Sequence, residues 1–239
     1  MRNHFFSFKQ FTIQQDKCAM KVCTDACLFG SLAATHANEK KTIQVLDIGT
    51  GTGLLTLMFA QKHANAIIDA IEIDEAAAQQ ATENINASPW KKRLYVIQGD
   101  IKNIPLHKQY DFIIANPPFF ENSLKSNSSK RNIALHGEAL HLKELLTIIK
   151  KYLCVRGQCI ILLSLSTTFS FEQALAQEHL YIQEKIFIKQ TPQHPYFRTV
   201  LLFSKQKTET TISEIIIQNE DGQYTPTFIT LLKDYYLNL

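Results

Sequence analysis

Glycine and proline are scarce in this chain of 239 residues, at eight and seven. That leaves little room for a flexible linker between independent domains. The five cysteines, Cys18, Cys23, Cys27, Cys154 and Cys159, are odd in number and contain no C-x-x-C pair. They imply neither a disulfide framework nor a zinc site and read as structural free thiols. Long apolar runs are missing as well. The longest near Cys159, CIILL, is far short of the ~20 residues of a membrane span. The opening MRNHFFSFKQF, broken by Lys9 and Gln10, has no h-region of the length secretion needs. Charge of one sign is also lacking: 25 Lys and Arg against 22 Asp and Glu give +3, with a pI of about 8.5. That balance is too mild to identify a polyanion partner. What is present is ordinary globular usage, 45% apolar and 20% charged, so the chain can bury a real core. At about 150 residues per domain, the length suits one sizeable domain or one with an appendage. The expected setting is soluble, reducing and cytoplasmic.

From Thr42 to Ser204 short β-branched or apolar runs alternate with helical segments, the pattern of parallel strands joined by crossover helices. The strand candidates are 43–48, 66–73, 93–99, 110–115 and 158–164, followed by two more near 181–189 and 198–204. Their nearly continuous apolar character suits strands covered on both faces. Helices are expected at 53–62, 75–87, 138–153 and 169–179. The second has Asp74 as its cap, good helix formers throughout and Pro89 just beyond its end. Two segments stand outside the alternation: the first 42 residues and a polar stretch, 121–132, which reads as an exposed mobile loop after the fourth strand. Open α/β sheets bind ligands at that carboxyl end.

The first strand runs into VLDIGTGTGLL, placing Asp47, Gly49, Gly51 and Gly53 as D-x-G-x-G-x-G. Glycines at a strand-to-helix turn allow positive φ and close approach of a ligand, and the helix N-terminus offers N–H groups to an anion. The dinucleotide fingerprint would need glycine at position 54, which is Leu54. Glu72 closes the second strand, where a carboxylate can accept both hydroxyls of a ribose; Asp74 goes to the helix cap. Asp100 and Ile101 follow the third strand. Asp47, Glu72 and Asp100 thus fall at three successive strand ends. The fourth strand ends in Asn116, Pro117, Pro118 and Phe119. Two prolines fix φ and remove two donors, leaving an acceptor corner made by the Asn116 side-chain oxygen and the Pro117 carbonyl. Such a corner suits a planar amino group whose two hydrogens need acceptors, with Phe119 stacking on its ring.

The glycine turn resembles motif I of the S-adenosyl-L-methionine-dependent methyltransferases, and N-P-P-F resembles motif IV of the amino-methyltransferases. The opening FKQFTIQQDKCAMKVCTDACLFGSLA, the corner NPPFFENS, the run RNIALHGEALHLKELL and the end DGQYTPTFITLLKDYY together resemble the tRNA1(Val) adenine-37 N6-methyltransferases. That family usually has glycine where this chain has Cys23 and Cys27, and commonly Tyr where it has Phe119. The resemblance implies a Rossmann-like class I α/β fold, with a seven-stranded mostly parallel sheet, helices on both faces and an antiparallel last strand. It implies an extension over 1–42 packing on the cofactor site and a methyltransferase domain over 43–239. The implied cofactor is S-adenosyl-L-methionine. Its implied contacts are Thr24, Asp47, Gly49, Gly51, Gly53, Glu72, Asp100, Ile101 and Asn116, with Asn116, Pro117 and Phe119 catalytic. Thr24 and Asp25 explain themselves equally as a capping pair before a helix.

An RNA substrate should leave a charge trace. Residues 1–24 hold four basic residues against one acid, 121–156 seven against three, and 185–207 five against none. If these segments converge at the catalytic edge they form a basic rim for tRNA phosphates, including Lys9, Lys21, Lys125, Lys130, Arg131 and Arg198. A stacked base must be extruded before reaction, and the 121–132 loop is placed to clamp it. His136 and His141 fall on different faces of a helix, so no metal is expected. Tyr196 and Phe197 are expected to seal the sheet edge. Two other readings remain. One is a glutamine methyltransferase acting on a translation protein, although only 46 residues precede Asp47 where those enzymes resemble a two-part chain with a helical domain. The other is a non-catalytic RNA-binding protein of the same fold.

Overall fold

The computed structural model describes residues 4–18, 20–37, 42–117 and 142–239. A hairpin of β1 (Phe5–Ser7) and β2 (Thr12–Gln14) opens the chain, followed by α1 (Thr24–His36). The alternating region then gives β3 (Ile43–Ile48), α2 (Leu54–Lys62), β4 (Ala66–Glu72), α3 (Glu75–Asn86), a 3-10 turn (Lys91–Arg93), β5 (Leu94–Gln98) and β6 (Tyr110–Ala115). Helix α4, residues 142–152, leads into β7 (Leu153–Ser164), α5 (Leu165–Gln177), β8 (Tyr181–Lys189), β9 (Tyr196–Ser204), β10 (Thr211–Ile216) and α6 (Pro226–Leu232).

The large sheet has the order β10-β8-β9-β7-β6-β3-β4-β5. Among the described residues it has eight strands where seven were expected. The antiparallel strand is β9, which pairs antiparallel with both β7 and β8, and it is not the last, because β10 follows and pairs parallel with β8. The sequence hid β10 for a physical reason: TISEII forms a mostly exposed outer strand, so it lacks the continuous apolar run of a strand covered on both faces. Two other boundaries moved. β7 starts at Leu153, with a register shift between Tyr110 and Phe112 of its partner. α5 starts at Leu165, ahead of the expected 169, with Ser164 as its N-cap and the hydroxyls of Thr167 and Thr168 bonding back to the Ser164 carbonyl at 3.1 and 2.9 Å.

Each strand of the sheet centre feeds two cores. Val45, Ile68, Phe112 and Ile114 join α1, α2 and α6 on one face, while Leu46, Ile71 and Ile113 join α4 and α5 on the other. Phe112 is 1% exposed, and truncating such a ring to alanine costs about 3–5 kcal/mol. Helices α1 and α2 approach closely at Gly30, where an added Cβ would lie 2.5 Å from Met58 Sδ. The first segment is pinned to α3: Asn84 accepts the Gln14 N–H at 2.8 Å and Gln80 accepts the Lys17 N–H at 3.0 Å.

The chain runs outward through β3, β4 and β5, then returns to the other side of β3 with β6 and β7. This reversal is a topological switch point, where open α/β sheets form a crevice. Ile48 of β3 pairs with Ala115 of β6, so the glycine turn and Asn116 leave adjacent strands at the same height.

Candidate active site

The glycine turn takes its shape from backbone that only glycine adopts cheaply: φ is +73° at Gly49, +57° at Gly51 and +82° at Gly53. Two carboxylates lock it. Asp47, fully buried, accepts the hydroxyls of Thr50 and Thr56 on Oδ2 at 2.6 and 2.7 Å. Its Oδ1 is buried with no hydrogen-bond partner among the described residues. Burial pushes its pKa from 3.8 up to about 6; the two threonine hydroxyls pull it down and the Glu72 charge pushes it up. Glu72 Oε2 accepts the Gly51 N–H at 2.8 Å and Oε1 accepts the Asp74 N–H at 3.0 Å. Each oxygen keeps a further lone-pair direction for a ribose hydroxyl. Asp74 caps α3 by accepting the Ala77 N–H at 2.8 Å.

An open cleft of about 380 Å³ lies over this turn, within the range of small-molecule sites. Gly49, Thr50, Gly51 and Thr52 form its floor, Glu72, Ile73 and Asp74 one wall, and Asn116 and Pro117 another. Cys18, Met20, Lys21, Val22, Cys23 and Ala26 of the first segment line it too, as does Leu145 of α4. Burial pushes the Cys18 thiol up to about 11, with the charges of Glu72 and Asp74 adding to the rise, so Cys18 lies at that wall. Cys23 is the N-cap of α1, with Asp25 and Arg198 as its charged neighbours.

Asn116 carries the most informative atom. Its side-chain Oδ1 is buried and has no hydrogen-bond partner among the described residues. A buried acceptor without a donor costs about 1–3 kcal/mol, so a donor from a ligand is strongly favoured there. Pro118 and Phe119 lie outside the described residues, as do Lys125, Lys130, Arg131, His136 and His141.

Gly53 is the N-cap of α2, and neither it nor Asp47 lines the cleft; both act from beneath. Register puts Asp100 two residues past Gln98, the partner of Glu72, one strand over. There Asp100 Oδ1 accepts the Lys102 N–H at 3.0 Å, and Ile101 packs on the α4–α5 core. Neither borders the cleft. Thr24 is the first residue of α1 and is not a cleft residue, whereas its neighbours Cys23 and Ala26 are. Asp25 Oδ1 accepts the first-turn N–H of Ala26 at 3.1 Å, while Cys23 is the N-cap and its own side chain makes no capping bond. Its φ of −130° and ψ of 160° suit any residue, so the cysteine substitutes for the family's glycine without strain. Cys27 is buried inside the helix.

Many cations of the basic segments are engaged by the protein itself. Lys9 donates to the Lys233 carbonyl and Lys205 to that of Leu153. Lys17, Lys150, Lys185 and Lys189 pair with Glu83, Glu178, Glu172 and Glu214. Arg198 pairs with Asp25 at 2.9 Å. Because β9 is antiparallel, Arg198 pairs with Ser164 at the carboxyl edge while Ser204 pairs with Gln158. Lys205 and Lys207 therefore leave at the opposite edge from Asn116. Tyr196 and Phe197 start β9, an inner strand; the Tyr196 hydroxyl donates to Glu214 at 2.6 Å. The cleft residues that sequence reasoning missed, Cys18, Met20, Val22, Ile73, Ala77 and Leu145, are mostly apolar and carry no spacing signal; only Ile73, beside Glu72, was within reach.

The fold and the cleft define a class I methyltransferase. A crystal structure described as a predicted O-methyltransferase from Agrobacterium tumefaciens shares the fold, with a TM-score of 0.69 at 14% identity, covering 88% of this chain and 99% of that one. The methyltransferase small domain model matches residues 27–181. The tRNA1(Val) (adenine(37)-N6)-methyltransferase of Cytophaga hutchinsonii is 42% identical, covering 100% of both chains. That of Trichodesmium erythraeum is 39% identical, covering 99% of each. The chain belongs to the tRNA1(Val) (adenine(37)-N6)-methyltransferase family. Among the described residues no helix is long and apolar enough to cross a membrane.

Proposed function

We propose that this chain transfers a methyl group from S-adenosyl-L-methionine to N6 of adenine 37 in valine tRNA1, in the bacterial cytoplasm. The observation that carries the reading is the buried, partnerless Asn116 Oδ1 at the wall of the cleft. The glycine turn and Glu72 suit the cofactor's ribose and tail, and the Asn116 corner faces the same space. In this reading Asp100 and Ile101 lie beyond the cleft toward the adenine, the stretch from Cys18 to Ala26 covers the cofactor's tail, and 43–239 form the catalytic domain. When bound, the cofactor supplies an electrophilic methyl on a sulfonium.

Asn116 Oδ1 and the Pro117 carbonyl accept the two hydrogens of the adenine amino group, and Phe119 stacks on the base. With both hydrogens held, the nitrogen lone pair is drawn out of conjugation and aligned for in-line attack. The cofactor would supply the methyl group, its sulfonium sulfur keeping the electrons of the broken S–C bond; the methylated nitrogen, held by Asn116 Oδ1 and the Pro117 carbonyl, would then give up its proton to solvent. No strong base is needed beforehand. Lys125, Lys130 and Arg131, which follow the corner in sequence, make the phosphate contacts in this reading. Lys9, Lys21 and Arg198 are assigned to the chain's own packing and cleft.

The test is mass mapping of modified nucleosides in tRNA from cells with and without the chain. Loss of N6-methyladenosine beside the anticodon of one valine tRNA supports the reading; intact tRNA with loss of a methylated protein glutamine overturns it.

A further inference from the structure

We propose that Phe169, with Leu165 one helical turn before it on α5, stacks on a nucleotide that flanks adenine 37 and so positions the anticodon loop for reaction. The proposal deepens the tRNA reading above and rests on it.

The sheet order sets the direction of approach. The glycine turn follows β3 and Glu72 ends β4, which gives the cofactor that side in the reading above, while Asn116 follows β6 on the other side of β3. The methyl acceptor therefore enters from beyond β6, over the end of β7. α5 begins there: Ala115 of β6 pairs with Ile161 of β7, shortly before Ser164, the N-cap of α5, on a strand ~4.8 Å away. An extruded base leaves its neighbours at that edge, and enzymes that extrude a base also contact the nucleotides beside it.

Phe169 is 69% exposed and Leu165 41%, and residues four apart share a helix face. The packing of α5 does not use them. Phe171, Ala174 and Leu175 bury the helix instead, with the Phe171 ring 6.0 Å from that of Phe203. The first turn has no acidic side chain, and a helix N-terminus carries partial positive charge, so the surroundings suit a phosphate backbone. Glu172, one turn further on, is paired with Lys185. Every base has a flat face, so an exposed ring can hold one whatever its identity. A second copy of the chain is a poor occupant, because two side chains offer far less area than a stable dimer buries.

The test is steady-state methylation of valine tRNA1, isolated from cells that lack the chain, by the purified full chain. Phe169→Ala should raise KM for the tRNA at least about fivefold, the loss of one stacked base, with kcat, S-adenosylhomocysteine affinity and the urea midpoint unchanged. Phe169→Trp keeps a flat ring and should hold KM near the wild-type value, whereas Phe169→Leu keeps only apolar bulk and should match Phe169→Ala. The indole emission of Phe169→Trp should also be quenched by the tRNA, while wild type, with Trp90 as its one tryptophan, should show little change. An unchanged KM in Phe169→Ala overturns the proposal, as does a Phe169→Leu variant as good as wild type. A lowered urea midpoint overturns it too, since the ring would then be packing on the chain itself. A wild-type chain that leaves the tRNA unmethylated would instead overturn the substrate reading, before any variant is made.

Discussion

Glu72 holds Gly51: the Glu72 Oε2 carboxylate oxygen accepts the Gly51 N–H at 2.8 Å, across the gap between the end of β4 and the turn after β3. One carboxylate thereby shapes the floor of the cleft and forms part of its wall. Glu72→Gln keeps the shape but turns one acceptor into an amide that cannot accept. A hydrogen bond to a charged group contributes about 1.5–3 kcal/mol. Roughly tenfold or greater weakening of S-adenosyl-L-methionine binding is expected by calorimetry, with faster hydrogen exchange at the Gly51 amide. Unchanged exchange at that amide would separate the two roles.

Gly51 and Gly30 are both glycines for opposite reasons. An added Cβ at Gly51 meets nothing within 4 Å, so the cost of Gly51→Ala is the left-handed backbone, about 1–2 kcal/mol. At Gly30 the backbone is ordinary helix and the obstacle is Met58, so Gly30→Ala costs about 1–3 kcal/mol through overpacking. Urea denaturation should show the difference: Met58→Ala added to Gly30→Ala relieves part of its overpacking, while no neighbour relieves Gly51→Ala.

Asp47 gives a pH signature. Its pKa is about 6 in the folded chain against an ordinary 3.8, chiefly through burial. The folded state therefore holds this proton more tightly than the unfolded one, so its contribution to stability falls as pH rises from about 4 to about 6 and is level above. Asp47→Asn removes the titration. The stability of wild type minus that of Asp47→Asn should decline across that window by an amount on the order of 3 kcal/mol. A difference independent of pH would contradict the assignment.

The pair Asp25–Arg198 ties α1 to β9 with side chains only 13% and 12% exposed. Removing one partner leaves a poorly solvated charge, at a cost of about 3 kcal/mol. Arg198→Gln and Asp25→Asn should each destabilise the fold. The double variant should lose less than their sum, a coupling that a double-mutant cycle reads directly.

The spacing of D-x-G-x-G-x-G and the ending N-P-P were legible because each lies within one turn at a strand end, where local chemistry dictates the backbone. Asp74 as a cap was legible on the same ground. Lys21 and Leu145 were not, since they reach the cleft from segments far apart in sequence and only the tertiary fold joins them. Charge counting failed differently: a count of lysines does not see that Lys185 faces Glu172 or that β9 reverses, carrying Lys205 away from Arg198. β10 was missed because an outer strand with an exposed face carries no long apolar run.

The central claim is that Asn116 acts chiefly on the reacting amino group, its contact with the cofactor being secondary. The measurement is methyl transfer to valine tRNA1 by purified Asn116→Ala, read beside S-adenosyl-L-methionine affinity of the same protein. Loss of one such transition-state contact costs roughly 100- to 1,000-fold in rate. The account predicts a loss of at least that size with cofactor affinity held within about threefold. Transfer at close to the wild-type rate, or loss explained by weakened cofactor binding, would contradict it.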